Sequence, residues 1–494
     1  MSEFDALRDF EFQRSENTPL QLQLYQGLKE RILSGRLTAD TKLPSSRGLA
    51  SDLSVSRNTV NSALEQLKAE GYIKTKPGAG HYISDELPED YLHAKLNPKV
   101  AFKTNNPGSL SLSARGQKLM GKTKPRIYNN QSFEAGLPDL KAFPLQKWSQ
   151  IQHRHSQRTS LLGYDDLQGH APLRRVLAEY LRTSRGVVCS PEQIIITVGA
   201  QQAVNIAIQV LLEKGDLAYL ENPGYIGMRL AFEHQWIKTT GIDVNEQGID
   251  IEQLPEKPRG KLICLTPTHQ YPMGGIIPLA NRLKILQWAA DNNIWVIEDD
   301  YDSEYHFDHK PIAAMQGLGL AEQVIYIGSF SKVLYPGLRL GYMVVPKQLT
   351  NACIKAKNLM TGQTALVEQA TVAEFIEAGH FVRHLGKMRL LYHEKLKAIL
   401  LACQQHLVDY AEPIYSGAGM HIVLILKPPT IKQAISDIHI VERLKEKSIY
   451  CSALSSYYIG TAKKQGLVLG FANTAVDEMD QKIAIIKQVL TRTH

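Results

Sequence analysis

The stretch GSFSKVLYPGLRLGY, residues 328–342, puts two hydroxyls, an amine and a guanidinium around one loop: Ser329, Ser331, Lys332 and, seven residues on, Arg339. Its flanks, VIYIG and LGYMVV, read as buried strands, and a core does not accept an ammonium group without a partner. Three further stretches supply complementary chemistry. TVGAQQAV (Thr197–Val204) ends an apolar strand at Gly199 and opens a helix, so the free amides of Ala200 and Gln201 suit a phosphate. IWVIEDDYD ends another apolar strand in Asp299 and Asp300; the carboxyl end of a parallel strand is the edge that faces a ligand crevice. NPGY (Asn222–Tyr225) places an aromatic ring, Tyr225, at a third strand end, where it can stack on a ligand ring. Taken singly, Lys332 reads as a solvated loop lysine, Asp299 as a loop charge and Tyr225 as core. Together they converge on one anionic, aromatic ligand.

These residues need elements to hold them. QIIITVG, LAYLENPG, LICLTP, IWVIEDD, VIYIGSF and LGYMVV read as strands, with amphipathic runs such as AQQAVNIAIQVLLEKG and IPLANRLKILQWAADNN between most of them. That alternation predicts an α/β fold with a mostly parallel sheet covered on both faces. After about residue 375 the strands become sparser, which predicts a smaller C-terminal α+β lobe. A chain of 494 residues exceeds one ordinary core, so two or three domains are expected. Three zones separate by texture: 17–86, compact; 87–128, a Pro-, Gly-, Asn- and Ser-bearing linker; and 129–494, the alternating α/β body. The net charge of +7 permits nucleic-acid binding. Five dispersed cysteines argue for a reducing compartment and against a disulfide frame or a zinc site. No apolar run approaches the ~18 residues a membrane span needs, and the polar start lacks a signal core, so a cytoplasmic protein is expected.

The first zone has its own logic. Leu24, Leu28 and Ile32 with Leu33 recur at helical spacing before Gly35. A second helix starts near Pro44 and Ser45, with Leu49, Ala50 and Leu53 inward. A tight turn at Leu53–Val55 precedes a third helix led by Ser56 and ended by Gly71, and IKTK-PGAG-HYI reads as a two-stranded wing. Helix, turn, helix and wing make a winged helix-turn-helix. Arg57, Asn58, Thr59 and Asn61 lie at the end of the third helix that meets base edges in a major groove. Arg47 reaches a phosphate or a base, Ser45 and Ser46 hold a phosphate, and Lys76 with Gly78 brings the wing tip to the backbone. Nine Lys/Arg stand against five Asp/Glu over 19–84.

LPSSRGLASDLSVSRNTVNSALEQLKAEGYIKTKPGAGHYI closely resembles the GntR-family DNA-binding domain, with one departure: Asp40 stands where that family commonly has Gly in a turn. Residues 129–494 resemble the fold-type I pyridoxal-phosphate enzymes, the aminotransferase family, with SFSK-x6-R the most specific element. The resemblance implies that Lys332 forms a Schiff base with the cofactor aldehyde. It also implies that Ser329, Ser331, Arg339, Ala200 and Gln201 bind the phosphate, that Asp299 pairs with the ring nitrogen, that Tyr301 bonds the ring oxygen and that Tyr225 stacks on the ring. Three departures stand out. Asp299 and Tyr301 are two apart, where the family spaces them by three, so Asp300 or Asp302 can swap roles. The family's asparagine is missing from TPTHQYPMGG, leaving His269, Gln270 or Tyr271 as its stand-in, with His269 assigned to the cofactor. Val468 occupies the slot of the arginine that clamps a substrate carboxylate.

The combination resembles the MocR-type bacterial transcription regulators. It implies operator DNA and pyridoxal phosphate as partners, a large domain that senses rather than turns over, and a head-to-tail homodimer. Vitamin B6 or amino-compound genes are the expected targets. A working aminotransferase with a regulatory DNA-binding domain is the rival expectation. So is a regulator sensing GABA or another amino acid, for whose carboxylate Arg229 is the nearest arginine.

Overall fold

The computed structural model describes residues 10, 12–13, 18–88, 111–120, 131–307, 312–319, 322–428 and 436–491. The chain divides into two units, Met1–Ser111 and Leu112–His494. Most of the expected linker, and the boundaries near residues 17 and 129, lie outside the described residues. Within the linker a short helix, Ala114–Met120, belongs to the second unit: Lys118 Nζ donates to the Glu233 carbonyl (2.8 Å) and lies over the Trp236 ring.

The first unit is built from α1 (Leu20–Leu33), α2 (Ser46–Asp52), α3 (Arg57–Ala69) and the hairpin β1 (Ile73–Lys76) and β2 (Gly80–Ile83). The two inner helices begin where a serine side chain can satisfy a free amide. Ser45 Oγ accepts from Gly48 N and Ser56 Oγ from Thr59 N, each at 3.1 Å. Between them Ser54 takes a left-handed φ of 52°, which makes the tight turn. Leu24, Leu28, Leu49, Val60, Leu64 and Leu67 form the shared core. Leu33, expected inside with Ile32, is instead 46% exposed, because α1 ends there and its next turn does not pack.

In the second unit one sheet runs β3-β10-β9-β8-β7-β4-β5-β6. Its strands are β3 (Ile194–Thr197), β4 (Leu217–Asn222), β5 (Lys238–Asn245), β6 (Gly248–Ile249), β7 (Leu262–Leu265), β8 (Trp295–Asp300), β9 (Val324–Ser329) and β10 (Gly341–Val344). From β9 through β8, β7 and β4 to β5 all pairings are parallel, while β10 runs antiparallel between β9 and β3. The carboxyl ends of β3, β4, β7, β8 and β9 therefore share one edge, and the β9–β10 loop leaves from it. A second, antiparallel sheet, β11-β12-β14-β13, forms the C-terminal lobe from β11 (Ala411–Ile414), β12 (His421–Leu426), β13 (Ser452–Ala453) and β14 (Gly466–Gly470). It packs with the long helix His380–His406 and the last helix Val476–Thr491.

Candidate functional site

The shared edge carries a cavity of about 430 Å³. Lys332, Ser329, Ser331 and Arg339 come to it from the β9–β10 loop, Ala200 and Gln201 from the helix after β3, Tyr225 from the end of β4, and Asp299 and Tyr301 from the end of β8. Nine of the ten residues assigned to the ligand from sequence thus line one space.

Its two ends differ in chemistry. At one, Gly199 (φ 107°) caps the helix Ala200–Leu211 and leaves its first amides facing the cavity. Arg339 stands opposite: a Cβ built on Gly199 would lie 4.0 Å from an Arg339 terminal nitrogen. Arg339 itself has a left-handed φ of 52°, an uncommon state for a non-glycine residue, and one that aims its side chain. Ser331 N donates to Ser329 Oγ (3.2 Å), which folds the serine loop inward. Hydroxyls, helix amides and a planar guanidinium together match a phosphate dianion.

At the other end strand alternation sorts the acidic run. Glu298 accepts from the amides of Met315 and Gln316, both at 2.9 Å. Asp300 accepts from Arg185 Nε (2.8 Å) and from the Tyr326 hydroxyl. Asp299, between them, points the other way into the cavity, and its Oδ1 is buried without a hydrogen-bond partner. Burial, then the Asp300 charge, push its carboxyl up to about 7. An orphaned carboxylate oxygen at the wall calls for a cationic or protonated partner from a ligand. Asp300, the possible substitute for Asp299, is already committed to Arg185. Asp302 lines the cavity but is committed to His269.

Lys332 Nζ donates to the Gly136 carbonyl (2.8 Å), which answers how the amine is held there. Gly136 has φ 78°, and a Cβ on it would lie 2.6 Å from Nζ.

His269 is not among the lining residues. It lies behind Tyr301, whose hydroxyl oxygen is 2.9 Å from His269 Nδ1. Of the three stand-ins for the missing asparagine, Tyr271 reaches the wall, while Gln270 is fully buried on the Pro223 and Tyr271 carbonyls and on Glu221. Ala135, Gly136, Leu137, Met420 and His421 also line the cavity, and no local pattern in the sequence marks them. Burial pushes the His421 imidazole down to about 3, so it is neutral there. Arg229 is not among the residues that line this cavity; it lines an adjoining pocket with Tyr225, Thr266 and Asp299, and its guanidinium donates to the carbonyls of Tyr458 (2.5 Å) and Ser456. Val468 is fully buried in β14, paired with Val423 and Ser452. Among the described residues Arg339 is the only arginine that lines this cavity.

In the first unit Arg47, Ser56, Arg57 and Asn58 are exposed, with Ser46, Thr59 and Asn61 half-buried beside them. Ser46 Oγ accepts from Arg57 Nε (3.4 Å), which joins the starts of α2 and α3. Ser45 and Ser56 are engaged as helix caps through their side chains. Gly78 (φ 73°) turns the wing, and Lys76 beside it lies over the Tyr82 ring. Asp40 has a φ of 56°, the left-handed state for which glycine is the easy residue. Its carboxylate lies 3.0 Å from Lys74 Nζ and 3.6 Å from Lys76 Nζ. Among the described residues no helix is long and apolar enough to cross a membrane.

Comparisons with known proteins agree in both units. Residues 20–83 match the family "Bacterial regulatory proteins, gntR family", and residues 133–486 match "Aminotransferase class I and II". The chain is 37% identical to the probable rhizopine catabolism regulatory protein MocR of Rhizobium meliloti, covering 93% of this chain and 91% of that one. It is 27% identical to the HTH-type pyridoxine biosynthesis transcriptional regulator PdxR of Corynebacterium glutamicum, over 96% and 97% of the two chains. The alpha-aminoadipate aminotransferase LysN of Thermus thermophilus, solved with N-(5'-phosphopyridoxyl)-L-leucine, superposes with a TM-score of 0.68 at 26% identity, over 77% of this chain and 95% of that one. The chain therefore belongs to the MocR-type transcription regulators, in which a gntR-family DNA reader is joined to an aminotransferase class I and II domain, a pyridoxal-phosphate-dependent fold.

Proposed function

We propose that this regulator holds pyridoxal phosphate on Lys332 as a signal, and that loading of the cavity governs promoter binding by the winged helix. The observation that carries the reading is the cavity wall. It pairs an amine with an orphaned buried carboxylate and a phosphate cup, and among the described residues its lining holds one guanidinium, that of the cup, and no second one for a substrate carboxylate. An amino-acid substrate without a bidentate clamp loses both affinity and alignment for proton abstraction.

When bound, pyridoxal phosphate supplies an aldehyde that condenses with an amine and a ring that withdraws electrons. Lys332 holds it. Arg339, Ser329, Ser331 and the amides of Ala200 and Gln201 take the phosphate. Asp299 keeps the ring nitrogen protonated, Tyr225 stacks on the ring, and Tyr301 donates to the ring oxygen. On the DNA side Arg57, Asn58, Thr59 and Asn61 read base edges. Arg47, Ser45, Ser46, Lys76 and Gly78 position the reader on the backbone, with Ser56 holding the start of the reading helix. The reader spans 17–86, the linker 87–128 and the sensor 129–494. The regulator works in the cytoplasm as a head-to-tail homodimer whose two readers meet two half-sites. The likeness to PdxR supports vitamin B6 genes as its targets.

A second reading, catalytic transamination, is favoured by one feature: Lys332 and Asp299 are both retained in the cavity. The two readings separate on purified holoprotein. Borohydride followed by peptide mass spectrometry is expected to place the cofactor on Lys332; no adduct there refutes both. With a panel of amino donors, a sensor keeps its visible band or stops after one equivalent. Sustained keto-acid production instead identifies an enzyme. A gel-shift on the protein's own upstream DNA, with and without pyridoxal phosphate, tests the coupling.

A further inference from the structure

His269 and Asp302 form a buried pair with no role in the site so far. Their side chains are 3% and 1% exposed, and His269 Nδ1 lies 3.0 and 3.1 Å from the two Asp302 carboxylate oxygens. The same Nδ1 is 2.9 Å from the Tyr301 hydroxyl oxygen, and the two rings stack at 5.9 Å between centroids. Chain packing fixes this arrangement. Gly419 presses against it so closely that a Cβ there would lie 2.0 Å from His269 Cε1 and 2.7 Å from Asp302 Oδ2. The His421 ring packs on His269 at 5.0 Å, while its Nε2 donates to the Pro272 carbonyl (2.8 Å).

One nitrogen with two oxygen-bearing neighbours has limited options. An ionised carboxylate only accepts, so a nitrogen held against it must carry a proton. A protonated Nδ1 has no lone pair for the Tyr301 hydrogen. The Tyr301 O–H must then donate elsewhere, and its open side is the cavity.

We propose that Asp302 and His269 are positioning residues: Asp302 holds the proton on His269 Nδ1, and this orients the Tyr301 hydroxyl as a donor into the cavity, toward the anionic oxygen of the cofactor ring. The proposal rests on the reading of Tyr301 given above. The charged and titratable groups around the trio are His421 from β12, Tyr271 from the β7 loop, Glu221 from β4, Asp299 and Asp300 from β8 and Lys332 from the β9–β10 loop.

A donor on the ring oxygen stabilises its anion, so the proton that neutralises it leaves at lower pH. The readout is the pH midpoint of the visible band of full-length holoprotein, titrated spectrophotometrically without any substrate. Tyr301→Phe is expected to raise that midpoint by about one unit, the size of one charge-assisted hydrogen bond. Asp302→Asn is expected to raise it in the same direction, and the double variant to add nothing beyond Tyr301→Phe. If Asp302→Asn does not load cofactor, His269→Phe takes its place: it keeps a ring against Tyr301 but has no proton to direct, and the same rise is expected. A midpoint unmoved by Tyr301→Phe overturns the reading of Tyr301. A midpoint moved by Tyr301→Phe, but unmoved by the histidine or aspartate change or shifted additively in the double variant, overturns the positioning role alone.

Discussion

A single carboxylate sets much of the cavity's character. Asp299 is ionised at neutral pH in an unfolded chain but is pushed up to about 7 by burial in the folded one. The folded state therefore holds its proton more tightly, and between about pH 4 and 7 ionisation of Asp299 erodes the stability of the empty protein as pH rises. A cationic ring nitrogen at Oδ1 reverses that term by stabilising the ionised form. The melting-temperature gain on adding pyridoxal phosphate should thus grow from about pH 5 to about pH 7 in the native protein, level off above that, and lose this dependence in Asp299→Asn. A gain independent of pH in the native protein would count against the pairing. The acidic end of this apolar strand was legible in the sequence, but the choice of Asp299 over Asp300 and Asp302 came from the family resemblance and not from position. The commitment of Asp300 was not legible: its partner Arg185 lies 115 residues away, on the helix Ala171–Arg185. Likewise Gly136 and His421 are brought to Lys332 only by the assembled fold, and neither residue type nor spacing announces them.

Among the elements, the strands that could be read were apolar runs of four to six residues bounded by turns, buried in the sheet except at the β9 end, where Ser329 is half-buried. β5, KTTGIDVN, escaped because it lies toward the sheet margin and is mostly half-exposed, so its polar residues hide the strand. The winged helix was legible in its order of elements, since serine caps, glycine turns and the Leu/Val spacing all agree. Only the end of α1 was misjudged, at Leu33. The wing makes a sharper prediction than the helices do. Asp40 pairs with Lys74 and Lys76, and Asp85 holds Lys74 at 2.7 Å, so on the proposed wing contact these carboxylates would compete with DNA phosphates for the lysines. Asp40→Asn keeps a residue that tolerates the left-handed turn but removes the competing charge. It should tighten binding to random duplex several-fold and steepen the salt dependence by about one released counterion per freed lysine. Arg57→Ala, by contrast, should weaken operator binding by about 1–3 kcal/mol and relax its sequence preference. Equal salt slopes for Asp40→Asn and the native protein would remove the wing lysines from the phosphate contacts.

For the whole molecule the reader and the sensor matter only through their coupling. If loading the cavity changes operator affinity by some factor, operator binding must change cofactor affinity by the same factor, and such couplings commonly lie near 5–150-fold (about 1–3 kcal/mol). Measuring both ratios on full-length protein closes the cycle, and Lys332→Ala is expected to bring the operator ratio to one while leaving the thermal transition of the empty protein in place. An operator response to pyridoxal phosphate that survives Lys332→Ala would separate sensing from the lysine. The contact that holds the resting amine has a further use. Gly136 is the residue against which Nζ rests; its φ of 78° disfavours any side chain, and a methyl group there would lie 2.6 Å from Nζ, so the lysine end would have to move aside. Alanine at that position would displace the amine without altering its chemistry. On the proposed reading, a strain carrying that allele would reveal what the regulator does at its promoters when its lysine cannot take up the cofactor, with every reactive group still in the chain.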